Sequence, residues 1–305
     1  MKKKFLSGIA AIMIGAMLAG CGTGADTASN GSGNLSAEST KEKINVTVSI
    51  YPLKEYAEAI AGDKAEVTCM VPDNVEPHDY DPKAKELSAL SKSDIFVYSG
   101  LGMENWLDKV DDITGDSKVL KVDSSTGIET RTEENAVDPH IWLSLKNAKI
   151  QSENIKNALV QADSENKDYY EENYEKFKGE LEDLYNEYKP KFDSLSKKNF
   201  ITGHAAFGYL CRDFGLAQKS VENLFGEGEP TPGQLKELVN FCKENNIKTV
   251  FSESLASPKV SETLANEVGA EVVPIYTLES KEDDKSYIEA MRYDLEQIYK
   301  CMEKE

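Results

Sequence analysis

Histidine is scarce in this sequence: its 305 residues include only three, at positions 78, 140 and 204. Cysteine is scarce as well, and its five copies form no C-x-x-C pair, which argues against a thiolate zinc site of the finger or ribbon kind. H-E-x-x-H is absent, so a metalloprotease of that type is excluded. No clustered basic patch is present. With 35 Lys and Arg against 54 Asp and Glu, the formal charge is −19. Such a surface repels nucleic acid and anionic lipid and attracts cations, so a nucleic-acid partner is not expected. Beyond the first twenty residues no apolar run is long enough to cross a bilayer.

The first twenty residues read as a leader. Lys2, Lys3 and Lys4 form a basic start, and Phe5 to Leu18 form an apolar stretch too short for a comfortable span. The stretch ends Leu18-Ala19-Gly20-Cys21, small residues before a cysteine that resemble a bacterial lipobox. That resemblance implies cleavage before Cys21, which then carries lipid and anchors the mature protein outside the cytoplasm. Loss of the three leader lysines takes the formal charge from −19 to −22. Residues 21–43, rich in Gly, Ser, Thr and Asn, have little to bury and read as a flexible tether. Cys69, Cys211, Cys242 and Cys301 read as buried thiols, with disulfides among them left open.

From residue 44 the pattern is α/β. β-Branched runs at Val46–Ile50, Glu66–Val71, Ile95–Tyr98 and Lys118–Val122 alternate with helical spacing over Leu53–Ile60, closed by Gly62, and Met103–Val110. Asp81 and Pro82 have the residue types of a cap and first turn for a helix through Leu87 and Leu90. This is a lobe over 44–143 with a mostly parallel sheet. Residues 144–196 contain no strand pattern: one helix is expected over Lys146–Gln161. After a break at Ala162-Asp163-Ser164, a long one runs over about Glu165–Ser194. Its Tyr170, Tyr174, Phe177, Leu181, Leu184 and Tyr188 mark the inward face. About thirty residues make about 45 Å of helix, enough for a rigid connector between two lobes, although a helical hairpin on one lobe has the same pattern. Alternation resumes over 197–305: strands at Asn199–Thr202, Thr249–Ser252 and Val272–Tyr276, and helices over Ala205–Phe214, from Thr231-Pro232, from Ser257-Pro258 to Gly269, and over about Asp284–Met302.

His78, His204 and Glu279 all follow expected strand ends, where open α/β sheets bind ligands, and His140 precedes the first connector helix. Two candidates from each half point to the cleft between lobes. Three imidazoles and one carboxylate suit four-coordinate Zn²⁺ at about 2.0–2.2 Å per bond. Imidazole donors favour Zn²⁺ over Mn²⁺, which prefers oxygen. Spacings above sixty residues are not in themselves a metal motif. Taken singly, each histidine could equally be a capping or packed residue, His140 against Trp142 for instance.

Four motifs in order, E-P-H-D-Y-D-P, D-P-H-I-W-L, T-G-H-A-A-F-G-Y and P-I-Y-T-L-E-S, behind a lipobox, resemble the zinc-type solute-binding lipoproteins of bacterial metal ABC importers. The resemblance covers about residues 44–303. It implies two α/β lobes joined by a long rigid helix, with Zn²⁺ held between them by His78, His140, His204 and Glu279. It implies lipid attachment at Cys21, and delivery to a membrane permease driven by a cytoplasmic ATPase. Manganese-type relatives carry a carboxylate in place of the third histidine, which this chain keeps as His204. Two departures stand out: Ser144-Leu145 follow D-P-H-I-W-L where Asp-Pro is frequent, and residues 123–136 are acidic but lack the histidines of an auxiliary zinc loop. Glu253 in F-S-E-S is the runner-up fourth ligand. The resemblance implies binding and no catalysis. A manganese importer component, a cell-surface adhesin and a metallohydrolase remain as alternatives.

Overall fold

A computed structural model describes residues 43–304 of the chain apart from 116, 134, 226–230 and 255–257. The leader, Cys21, nearly all of the expected tether and Ser257 therefore lie outside the described residues. The first set of elements is β1 (Ile44–Val48), α1 (Tyr51–Ala61), β2 (Ala65–Cys69), α2 (Ala84–Leu90), β3 (Ile95–Tyr98), α3 (Leu107–Thr114) and β4 (Leu120–Asp123). A small antiparallel pair, β5 (Thr132–Glu133) and β6 (Ala136–Val137), precedes the helices α4 (Leu145–Ala162) and α5 (Lys167–Asp193). The second set is β7 (Asn199–Thr202), α6 (Gly208–Phe214), β8 (Ala217–Ser220), α7 (Pro232–Glu244), β9 (Thr249–Glu253), α8 (Pro258–Val268), β10 (Glu271–Ile275) and α9 (Tyr287–Met302).

Each set folds around a four-stranded parallel sheet, in the order β2-β1-β3-β4 and β10-β9-β7-β8. The two-lobe α/β architecture read from the alternation is the one observed. In each sheet the strand order reverses once, between β1 and β3 and between β7 and β9. A crevice opens at the carboxyl ends of the strands at such a point. A buried carboxylate closes each crevice. Glu104 accepts hydrogen bonds from the Ser49 hydroxyl (2.5 Å) and from the Ser99 (2.7 Å) and Gly100 (3.0 Å) amides. Glu253, the last residue of β9, accepts from the His204 amide at 3.1 Å.

α5 links the two sets. Its 27 residues make about 40 Å of helix. The six inward residues expected from periodicity are all buried, together with Phe192. Near its start Phe177 packs on Tyr56 of α1 with ring centroids 5.7 Å apart, and Asn173 donates to the Ile60 carbonyl at 3.0 Å. Near its end Phe192 lies 5.0 Å from Phe214 of α6 and 5.9 Å from Tyr299 of α9. One apolar cluster consequently runs through both sets of elements. α4 sits on the first sheet, where Gln151 and Asn154 donate to the Ser124 hydroxyl and carbonyl at 3.0 Å.

Several expected boundaries move, for local reasons. α2 starts at Ala84, with Lys83 as the capping residue, because the Asp81 carboxylate pairs with Lys109 and does not cap. α3 starts only after Trp106, since Gly100, Leu101 and Gly102 all have positive φ and hold that segment in a turn. α9 starts at Tyr287, where Ser286 and Glu289 cap reciprocally. Ala205–Phe207 form a 3-10 turn before α6. β8 went unread because A-Q-K-S has no apolar pattern; it is an edge strand exposed along alternate positions. α1 stops at Gly62, as expected, where φ is 52° and a Cβ would come within 2.2 Å of the Tyr169 hydroxyl. Ser144 accepts from the Asn147 amide at 3.0 Å and caps α4. No disulfide joins the four described cysteines; Cys69 is half-exposed, against the expected burial, because its position on edge strand β2 is only partly covered.

Asp294 of α9 is fully buried; one carboxylate oxygen accepts from the Tyr276 amide at 2.9 Å and the other has no partner. Burial holds this carboxyl well above the ordinary range. The native state thus keeps a proton that the unfolded chain releases, and stability declines as pH rises above the ordinary carboxylate range. Asp294→Asn keeps the acceptor for Tyr276. It should unfold with about 1 kcal/mol more stability near pH 8 and show a flatter pH profile, as read by thermal melts between about pH 4 and 8. An unchanged profile would contradict this.

Candidate metal centre

The strand-end turns bring His78, His140 and His204 together: one ligand atom from each lies within 4.8 Å of the others. His78 sits in the 3-10 turn Pro77–Asp79, whose capping residue Glu76 accepts from the His78 amide at 3.3 Å. Asn105 donates to the His78 carbonyl at 3.2 Å and pins the same turn. His78 is half-buried, whereas His140 (0% exposed) and His204 (4%) are withdrawn from solvent.

His140 is oriented from behind. Its Nδ1 lies 2.9 Å from Asp138 Oδ1, a contact in which Nδ1–H donates and the Nε2 lone pair is left facing the cluster. That Nε2 is 3.2 Å from His78 Nε2 and 3.7 Å from Glu279 Oε1. Asp138 is held in turn by an ion pair with Arg131, and its carbonyl accepts from the Tyr209 hydroxyl at 2.9 Å. Arg131 passes so close to Gly208 that a Cβ there would overlap the guanidinium, at 1.6 Å from one nitrogen. Burial alone would raise the Asp138 carboxyl, but the His140 and Arg131 hydrogen bonds outweigh it and hold it below its ordinary range.

His204 follows β7 by two residues. Its Nε2 donates to the Leu224 carbonyl at 2.8 Å, placing the lone pair on Nδ1 in this tautomer. Glu279 sits after β10 behind Leu278, whose φ of 56° is strained for a bulky side chain. One Glu279 oxygen accepts from the Thr277 hydroxyl at 2.8 Å; the other is buried with no partner. Trp142 ties the two turns together: its Nε1–H donates to the Thr277 carbonyl at 2.8 Å, and its own carbonyl accepts from Tyr287 at 2.5 Å.

The electrostatics are those of a cation site. Burial, then the neighbouring His140 and His204 rings, push His78 down to about 2. Burial and His140 push His204 down to about 3, so both imidazoles are neutral at physiological pH, the form that ligates metal. Burial, then Glu76, push Glu279 well above the carboxylate range, and burial takes Glu253 up to about 8. Buried carboxylates of this kind are stabilised by a nearby cation.

The four expected residues therefore converge, but not as one even cluster. The compact histidine group does not take in Glu279, which groups instead with Glu76 and His78. Glu253 holds the His204 backbone and is not a member of either group. Sequence reading missed Glu76 and Asp138 as site residues. The signal was present: in both E-P-H and D-P-H an acid stands two residues before the histidine.

A profile of the family described as "ZnuA: Zinc-uptake complex component A periplasmic" matches residues 46–301. The chain belongs to this family. The high-affinity zinc uptake system protein ZnuA of Bacillus subtilis is 35% identical to it over 302 residues, covering 92% of each chain. A crystal structure of ZnuA superposes with a TM-score of 0.78 at 34% identity, over 86% of this chain and 100% of that one. The laminin-binding protein Lmb of Streptococcus agalactiae, described as bifunctional with adhesin and metal transporting activity, superposes with a TM-score of 0.81 at 33% identity, again over 86% and 100%. The family consists of uptake components and not of enzymes, so the metallohydrolase alternative falls away.

Trp142→Phe removes the bond to Thr277 and leaves that carbonyl unpaired beside a small cavity. Urea denaturation should show a loss of about 2–4 kcal/mol; a loss below about 0.5 kcal/mol would mean that the tie between the two turns carries little.

Proposed function

We propose that this member of the zinc-uptake family captures Zn²⁺ outside the cytoplasm through His78, His140, His204 and Glu279. It delivers the ion to an ABC permease served by a cytoplasmic ATPase. Cys21 carries the lipid that tethers it to the membrane. Lobes over 44–143 and 197–305 and a helical connector over 144–196 form the working unit. The observation that carries this reading is the 3.2 Å separation of the His78 and His140 Nε2 atoms. Two nitrogens on one tetrahedral zinc, at bonds of about 2.0–2.1 Å, stand about 3.3 Å apart. Without a metal the same distance is that of a hydrogen bond from His78 Nε2–H to His140 Nε2. Because Asp138 accepts from His140 Nδ1–H, the His140 Nε2 lone pair faces its neighbour and is free to ligate once His78 presents its own Nε2 lone pair. Three nitrogen donors against one carboxylate favour zinc over manganese.

Adhesion is a second reading, favoured by one observation, the similarity to Lmb and its stated adhesin activity. Binding of immobilised laminin by the metal-free protein would support it.

The primary test is competitive Zn²⁺ and Mn²⁺ titration of the soluble form beginning after Cys21, beside His204→Ala. One tightly bound zinc, not displaced by excess manganese and weakened at least about a hundredfold in the variant, is expected, a larger loss than an outer-shell partner costs. Preference for manganese, or indifference to His204, would overturn the ligand set or the metal. The continuous apolar packing along α5 opposes a wide hinge. Solution scattering of metal-free and zinc-loaded protein should accordingly give radii of gyration within about 1 Å of each other, far short of the large change that domain closure about a hinge entails.

A further inference from the structure

His78 belongs to two groups at once. Inward it stands with His140 and His204; outward it stands with Glu76 and Glu279, again with one ligand atom from each within 4.8 Å of the others. Exposure is graded across the two. Glu76 and His78 are half-buried, while Glu279 (2%), His140 and His204 are buried. The buried Glu279 oxygen without a hydrogen-bond partner lies 3.7 Å from His140 Nε2, and the same carboxylate belongs to the outer group.

Resting on the zinc-capture reading above, we propose that Glu76, His78 and Glu279 form an outer loading position for a divalent cation. The two positions share ligands, so they are occupied in turn. An ion arriving from solvent, still partly hydrated, meets two carboxylates and one imidazole. An oxygen-rich set of this kind suits a hydrated cation and holds it loosely. His78 and Glu279 then keep their bonds while Glu76 and water are replaced by the nitrogens of His140 and His204, which bind zinc more tightly than oxygen does. No bond to the chain is made or broken other than metal–ligand bonds. Glu76 is a ligand of the first stage only, and its capping of the His78 amide at 3.3 Å positions it for that task. The arrangement explains why a carboxylate rides in the same tight turn as the most accessible histidine.

Two experiments on the full chain without its leader test this, with Zn²⁺ alone as the probe. In stopped-flow mixing, Glu76→Gln, which keeps an acceptor for the His78 amide, should slow zinc association about tenfold and dissociation by the same factor, leaving the equilibrium affinity unaltered. Unaltered association, or faster dissociation instead, would overturn the proposal. In equilibrium titration, the double variant His140→Ala/His204→Ala should retain one weak zinc, and adding Glu76→Gln should weaken it a further tenfold or more. Equal affinities in the double and triple variants, with native circular dichroism, would overturn it. Should the double variant fail to fold, the association rate of Glu76→Gln decides alone. A wild-type protein that takes up no stoichiometric zinc would defeat the capture reading itself, and is distinguished from these outcomes in the same titration.

Discussion

The indole of Trp142 donates to the carbonyl of Thr277, and through that bond two turns 135 residues apart are held in one place. On one side of the bond stands His140, on the other Glu279. Tyr287 adds a hydrogen bond to the Trp142 carbonyl and brings in α9, which the Glu55 carboxylate ties to α1 through the Tyr287 amide at 3.0 Å. The contact is buried, so its polar atoms have no water to fall back on and both must stay paired. Each lobe is thereby kept in register with the other at the point where the candidate ligands meet. The Ser280 hydroxyl, accepting from the Asn74 amide at 2.7 Å, makes a second stitch beside the His78 turn.

Around that fixed point the chain accepts electrostatic costs that an ordinary core avoids. Imidazoles sit at contact distance, Glu279 and Glu253 each bury an oxygen with no hydrogen-bond partner, and Leu278 takes up a left-handed backbone. Each is unfavourable alone; together they suit a divalent cation, which supplies the missing positive charge and accepts the lone pairs. Asp138 shows the contrast. It is equally buried, yet Arg131 and His140 satisfy both its oxygens, and its carboxyl is held low where Glu279 is driven high. Asp138, which orients His140, has both oxygens paired with protein groups, whereas Glu279, which faces the cluster, keeps one oxygen without a partner.

The α5 spine gives this arrangement its span. A helix of about 40 Å, buried along one stripe from Tyr170 to Phe192, is stiff because its side chains are packed against α1 at one end and against α6 and α9 at the other. In a protein whose lobes are tied both by such a helix and by turns at the cleft, ligand exchange is best served by small movements of the turns. Glu76 and His78, in a short half-buried turn, are the groups placed to make them.

What the sequence by itself determined is whatever depends on neighbours along the chain. The alternation of β-branched runs with helical spacing placed both parallel sheets, because a buried parallel strand and an amphipathic helix each carry their own periodicity. Six residues of the α5 stripe were legible for the same reason, as were the Thr231-Pro232 start and the Gly62 stop. The three histidines drew attention by their rarity and by the turn residues around them. The sequence left open whatever depends on distance through space. β8 exists because β7 offers it an edge and not because A-Q-K-S favours a strand. Cys69 is half-exposed because β2 has a neighbour on one side only. Among fifty-four acids, Glu76 and Asp138 stand two residues before their histidines along the chain, but the tasks were assigned by tertiary structure: Asp138 behind His140, Glu253 under the His204 amide, Glu76 beside His78 and Glu279. A carboxylate has no periodicity to betray its role; only the burial and the partners that folding assigns to it do that.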